Sequence, residues 1–297
     1  MKKLMLIGLA FLAWPAQAAL TVLACEPEWA ALVGELAGDR AAAASATTAF
    51  QDPHHIEARP SLIARARRAD LLVCTGAELE SGWLPVLLRE SANPRIQPGR
   101  PGHFMAADFV ILLDKPQRLS RAEGDVHVQG NPHIQTDPRN IARVAEALAQ
   151  RLAQLDPANA AFYETRRADF ALRWRAAMQG WETRAARLKG VRVVSQHNGF
   201  PYLYQWLGLV EVATLEPKPG IEPSAAYLAE VAARLKAKPA SMIVRAAYQS
   251  ERPSEWLAGR SGLPAVALPY TVGGSDRAGD LFGLFDDTLG RLLEAAK

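Results

Sequence analysis

Histidines supply most of the chemistry this sequence offers. The adjacent pair His54 and His55 lies in QDPHHIEARPS, residues 51–61, and one of the two is a candidate ligand. His133 lies in GNPHIQTDP and His197 in VVSQHNGF. Each follows polar or turn residues, which sets it apart from a core histidine. Imidazole nitrogens suit borderline cations, and three histidines with one carboxylate make a common tetrahedral zinc set. Calcium or magnesium would call for oxygen ligands instead. The carboxylate is sought in PYTVGGSDRAGD. Asp276 follows two glycines and has no evident structural task, whereas Asp280 stands where it could cap a helix beginning at Leu281. Asp276 is the expected fourth ligand, with Asp280, Glu57 or water as the alternatives. His103, in RPGHF, and His127, in GDVHVQ, read as residues of a turn and a mobile loop. His127 could still capture a metal and pass it inward.

The elements around these residues alternate. LTVLAC precedes EPEWAALVGELAG, and ADLLVCTG follows PSLIARARR and precedes ELESGWLPVLLRES. Short apolar runs between segments of helical period argue a mostly parallel sheet covered by helices. Between Asp137-Pro138 and Leu188 the strand signal lapses. DPRNIARVAEALAQRLAQL reads as one helix with an Asp cap and Pro at its first position. Asp156-Pro157 opens another, with Phe162, Phe170, Trp174, Met178 and Trp181 along it. The rhythm then resumes with strands in VRVVSQH, ASMIV and AVALP, helices near 200–207, 224–236 and 253–260, and a last helix over 281–296. The alanine-rich stretch 41–46 reads as low complexity. The expected architecture is two parallel-sheet α/β lobes, 19–155 and 190–297, joined by a long rigid linking helix, 156–189. A metal would sit in the interlobe cleft, at the carboxyl ends of strands.

Residues 1–18 read as a secretory signal: Lys2 and Lys3, an apolar run from Leu4 to Trp14, and the small-x-small site Ala16-Gln17-Ala18. The apolar run is shorter than the roughly 20 residues that span a bilayer. Without Lys2 and Lys3 the 34 basic residues fall to 32, against 31 acidic. That balance argues against a nucleic-acid partner. Cys25 and Cys74 are the only cysteines, each after an apolar run that could be one of two neighbouring strands. In an oxidising compartment they could pair; two buried thiols or a lipid-modified Cys25 are the other readings.

Several of these stretches, in order along nearly the whole mature chain, resemble the cluster 9 solute-binding proteins of zinc and manganese ABC importers. DPHHIEARPS resembles that family's Pro-His-x-aromatic-Glu-x-x-Pro-Ser loop, and ADLLVCTGAELESGWL its strand-Gly-x-x-Glu segment. NPHIQTDPRN, QHNGFPYLYQWLGL and IEPSAAYLAEVAARLKAKPASMIV resemble its second and third histidine blocks and its Glu-Pro-Ser helix. The resemblance implies two lobes, a linking helix, and a metal held by His54, His133 and His197 for delivery to a membrane permease. A periplasmic location, a monomer and a possible loading metallochaperone follow from it. His55 becomes a neighbour, since adjacent residues of an extended loop point to opposite sides. Glu57 becomes a candidate hydrogen-bond partner of a ligand. Zinc is preferred to manganese because His197 supplies nitrogen where manganese members tend to use a carboxylate.

The sequence departs from the family at Arg245, where an acidic residue is usual, and at Tyr270-Thr271-Val272-Gly273, in place of Asp-x-x-Gly. A long histidine-rich loop is absent. Two other functions compete for the same residues. An exported zinc hydrolase would need a general base, but the chain has no HExxH. A binding protein for an organic solute would need a roomier, aromatic-lined cleft, for which Tyr202, Tyr204 and Trp206 are available.

Overall fold

The computed structural model describes residues 19–116 and 127–297; the signal segment 1–18 lies outside them. In the first lobe, β1 (Leu20–Ala24), β2 (Ala41–Ser45), β3 (Leu71–Cys74) and β4 (His103–Met105) form an all-parallel sheet in the order β2-β1-β3-β4. In the second, β5 (Arg192–Ser195), β6 (Val210–Thr214), β7 (Met242–Ala246) and β8 (Ala265–Leu268) repeat that order as β6-β5-β7-β8. In each lobe the chain reverses direction across the sheet after its second strand. That switch opens a crevice at the strands' carboxyl ends, where ligands of such sheets bind.

Both faces of each sheet are covered, so the central strands are mostly apolar and their side chains alternate between two cores. Val22, Ala24, Leu71 and Val73 face one way, into a cluster with α1 (Pro27–Ala37), α4 (Pro138–Leu155) and α5 (Ala160–Ala185). Leu23, Cys25, Leu72 and Cys74 face the other way, onto α2 (Pro60–Arg68) and α3 (Leu84–Ser91). The second lobe divides likewise. Val193, Met242 and Val244 join the first cluster with α6 (Pro201–Leu207) and α9 (Leu281–Ala295). Val194 and Ile243 pack with α7 (Ala225–Ala237) and α8 (Arg252–Ser261). One apolar core therefore runs through both lobes.

The expected linking helix is present. With single turns at Pro157–Asn159 and Ala186–Leu188, α5 runs between the lobes. It holds the first through Arg166, which donates to the Glu35 carbonyl at 2.8 Å, and Arg173, paired with the Glu35 carboxylate at 2.6 Å. It holds the second through Trp174 and Trp181, which pack edge-on and tilted against Phe282 and Phe285 of α9. Asp137 caps α4 with Pro138 at its first position, accepting from the Arg139 amide at 2.8 Å.

Three stretches differ from the sequence expectation. The alanine-rich 41–45 forms β2, His103 opens β4, and Val210–Thr214 forms β6. All three are short edge strands whose pairing is set by a neighbouring strand, so they carry little apolar period of their own. Cys25 and Cys74 are joined as a disulfide, with Cα atoms 4.7 Å apart at the ends of paired β1 and β3.

Candidate metal centre

Each histidine is presented by a loop at a strand's carboxyl end or just before the α4 cap. His54 lies in the loop after β2, held from behind by Trp83, whose indole N–H donates to the Pro53 carbonyl at 2.8 Å. His133 is placed by Asn131, whose side-chain oxygen accepts the His133 amide at 3.0 Å, and by Thr136, which donates to the His133 carbonyl at 2.9 Å. His197 directly follows the β5 ladder, which the Gln196 amide extends to the Val244 carbonyl at 2.8 Å. Gly199 turns the chain away, its amide donating to the His197 carbonyl at 2.7 Å. A Cβ at Gly199 would stand 3.3 Å from His197 Cδ2 and 3.5 Å from the Tyr270 ring, so glycine fits this turn and a larger residue would press on the His197 ring.

The structure brings His54, His133 and His197 together. One ring nitrogen of each lies within 4.8 Å of one from each of the others, and all three residues are buried. Their ring centroids stand 5.3, 5.8 and 5.3 Å apart. The Nε2 atoms of His133 and His197 are 3.2 Å apart. Nitrogens bound to one tetrahedral zinc at about 2.0–2.1 Å would be roughly 3.3–3.4 Å apart. His54 Nε2 is buried and makes no hydrogen bond among the described residues. A buried polar atom without a partner is costly, and a metal ion would satisfy it.

The opposite nitrogens are all engaged. His54 Nδ1 meets Asp52 Oδ1 at 2.7 Å, His197 Nδ1 meets Glu216 Oε2 at 2.7 Å, and His133 Nδ1 meets the Tyr270 hydroxyl. With an Nδ1–H donating to each of these oxygens, the tautomer leaves Nε2 as the electron-pair donor, the arrangement metal-ligating histidines use. Burial pushes the pKa of Tyr270 well up, so it stays a neutral phenol. Burial, and then the neighbouring His197, His54 and His127, pull the His133 pKa well down, which keeps it neutral. Burial raises Asp52, but its hydrogen bond to His54 and the nearby histidine charge outweigh it and hold the carboxylate below its ordinary range. The two carboxylates of Asp52 and Glu216, behind His54 and His197, match the charge of one divalent cation.

The other sequence candidates lie elsewhere. Asp276 is exposed and is not in the group of converging ligand atoms. Asp280 caps α9, accepting from the Gly283 amide at 2.7 Å. Glu57 and His55 are exposed. The oxygens that hold the three histidines come from Asp52, Glu216 and Tyr270, where Glu57 was expected. Asp52, two residues before His54, was a local pair within sequence reach; Glu216 and Tyr270 become neighbours only through the fold. Arg245 turns to the Gln249 carbonyl at 3.3 Å and pairs with Glu251 at 3.5 Å.

Beside the triad a cavity of about 570 Å³ is lined by Asp52, His55, Glu216, Glu222, Tyr248 and Trp256, among others. Its acidic wall favours cations. The aromatics once available to an organic solute pack inward. Tyr202 donates to the Asn131 carbonyl at 2.6 Å, and the Tyr204 and Ser195 hydroxyls bond at 2.7 Å.

A family model described as "Zinc-uptake complex component A periplasmic" matches residues 22–295. The chain is 24% identical over 250 residues to the high-affinity zinc uptake system protein ZnuA of Bacillus subtilis, covering 83% of this chain and 76% of that one. It is 25% identical over 228 residues to the zinc-binding lipoprotein AdcA of Streptococcus pneumoniae, covering 75% of this chain but only 44% of AdcA. A crystal structure of ZnuA superposes with a TM-score of 0.78 at 22% identity, over 94% of this chain and all of that one. At that identity the superposition shows the shared fold.

Proposed function

The chain belongs to the family of periplasmic zinc-uptake complex component A, and on that premise we propose that it captures zinc in the periplasm and delivers it to the membrane permease of an ABC importer. The observation that carries this reading is the convergence of three buried imidazoles, each with Nδ1 held by an oxygen and Nε2 turned to one point. A nitrogen-rich set favours zinc over manganese. The family is one of solute-binding proteins, and the site suits holding an ion: Asp52 and Glu216 orient ligands, which leaves them poorly placed to activate water.

Export by residues 1–18, action as a monomer and loading by a metallochaperone belong to the same reading. The acidic cavity beside His54 and His197 is the suggested route for the ion. The shared core and the doubly anchored α5 favour local adjustment of the loops over wide closure of the lobes.

Calorimetric zinc titration of the metal-stripped mature protein tests the assignment. Wild type and His55→Ala should each bind one equivalent tightly, and His54→Ala, His133→Ala and His197→Ala should not. Tight binding that survives all three ligand substitutions would refute it.

A further inference from the structure

We propose that His127 is the fourth ligand of the zinc site, completing an all-imidazole shell; this inference rests on the three-histidine reading above. Its ring centroid lies 5.4 Å from that of His54 and 6.3 Å from that of His133. The ring spacings within the triad are 5.3 to 5.8 Å. Imidazoles sharing one tetrahedral zinc through Nε2 have centroids roughly 5 Å apart. His127 stands outside the three whose ring nitrogens already converge, so binding would draw its ring in toward His133 and His197 to complete the set.

The segment that carries His127 is tied down on both sides of the cleft. The Val128 amide donates to Glu78 Oε2 at 2.5 Å, the Gly130 amide to the His127 carbonyl at 3.1 Å, and the Asn131 amide to the Leu113 carbonyl at 2.8 Å. Asn131 in turn positions His133 and donates to the Asn198 carbonyl at 2.9 Å, next to His197. His127, His133 and His197 together line a cavity of about 140 Å³. The anchor is a strained one. After Gly76 (φ +79°), Ala77 and Glu78 hold φ of +49° and +69°, a left-handed conformation that residues with a Cβ disfavour. Strain kept in this way clusters where a side chain must be aimed. Here it aims Glu78, the positioning residue, at the backbone beside His127.

Charge points the same way. Asp52 and Glu216 already balance a divalent ion, so a neutral fourth ligand leaves the buried site neutral, and a carboxylate would leave it negative. The carboxylates proposed from sequence are exposed or capping a helix.

The test uses the mature chain with zinc as the probe, read by competitive titration and by zinc-edge X-ray absorption, which counts coordinated imidazoles. Wild type should show four. His127→Ala should show three, with affinity lower by at least about tenfold, the loss usual even for a partner behind a ligand. Glu78→Gln should weaken binding by a smaller factor and add nothing in the His127→Ala background. Asp276→Ala should bind as wild type. Wild-type affinity and an unchanged imidazole count in His127→Ala would overturn the proposal, as would loss of an oxygen ligand in Asp276→Ala. If His54→Ala also bound normally, the three-histidine reading would fail with it; if His54→Ala abolished binding, only the fourth ligand would be reassigned.

Discussion

Glu216→Gln separates the charge behind His197 from the hydrogen bond that orients it. Glu216 Oε2 accepts from His197 Nδ1 at 2.7 Å and from the Gly220 amide at 2.8 Å. Glutamine has the same shape and retains an oxygen for both contacts. Across the imidazole ring that oxygen would stand about 6 Å from a zinc ion on Nε2. A unit charge at that distance from a divalent ion contributes about 1.4 kcal/mol in water and about 5.5 kcal/mol at an effective dielectric of 20. The Glu216 side chain is 16% exposed, which places it between those limits. Partners behind metal ligands usually contribute 10- to 100-fold in affinity, roughly 1.4–2.7 kcal/mol. Competition against a chromophoric chelator should therefore show zinc bound 10- to 100-fold more weakly by Glu216→Gln, with stoichiometry unchanged. An affinity equal to wild type would refute the charge-balance argument. A loss as complete as that of His197→Ala would show that Glu216 is itself a ligand.

Two further outcomes follow from the buried groups. Burial raises Glu28 and Glu80 each to about 7. A raised carboxyl binds more protons folded than unfolded, so its stabilisation is full below pH 4.5 and is lost as pH rises through about 7. In urea unfolding of the metal-free protein, wild type should lose up to roughly 3 kcal/mol relative to Glu80→Gln across that window, and parallel profiles would contradict the assignment. Trp174 is buried against Phe170, Trp181, Phe282 and Phe285, and its N–H donates to the Pro138 carbonyl at 2.8 Å. Trp174→Ala should cost about 3–5 kcal/mol in the same assay and leave zinc stoichiometry unchanged in the folded protein.

Much of this architecture was legible in the sequence because its signals are local. Apolar runs bounded by turn residues mark β1, β3, β5 and β7, and Asp137-Pro138 marks the start of α4. The helix that links the lobes shows in the aromatic residues it must bury. Three of the four edge strands were not legible, since Ala41–Ser45, His103–Met105 and Val210–Thr214 owe their form to a partner strand. His54, His133 and His197 stood out because a histidine in a polar loop has no packing reason to be there. What holds them did not. Tyr270 meets His133 across 137 positions, and Glu216 meets His197 across a β5–β6 crossover, pairings that only the folded chain defines. Asp276 looked available because it lacked a local role, but an exposed loop position is not evidence of reach into a buried site. His127 does lie in a loop, and what ties that loop beside the triad, the Val128 amide on Glu78 in the turn at Ala77 and Glu78, has no sequence signature.

The most direct test is the anomalous difference map at the zinc edge from crystals of the zinc-loaded mature protein. One strong peak is expected about 2.0–2.1 Å from Nε2 of His54, His133 and His197, with Asp52, Tyr270 and Glu216 still behind their Nδ1 atoms. A peak that omits any of the three histidines, or one coordinated through Nδ1, would contradict the account.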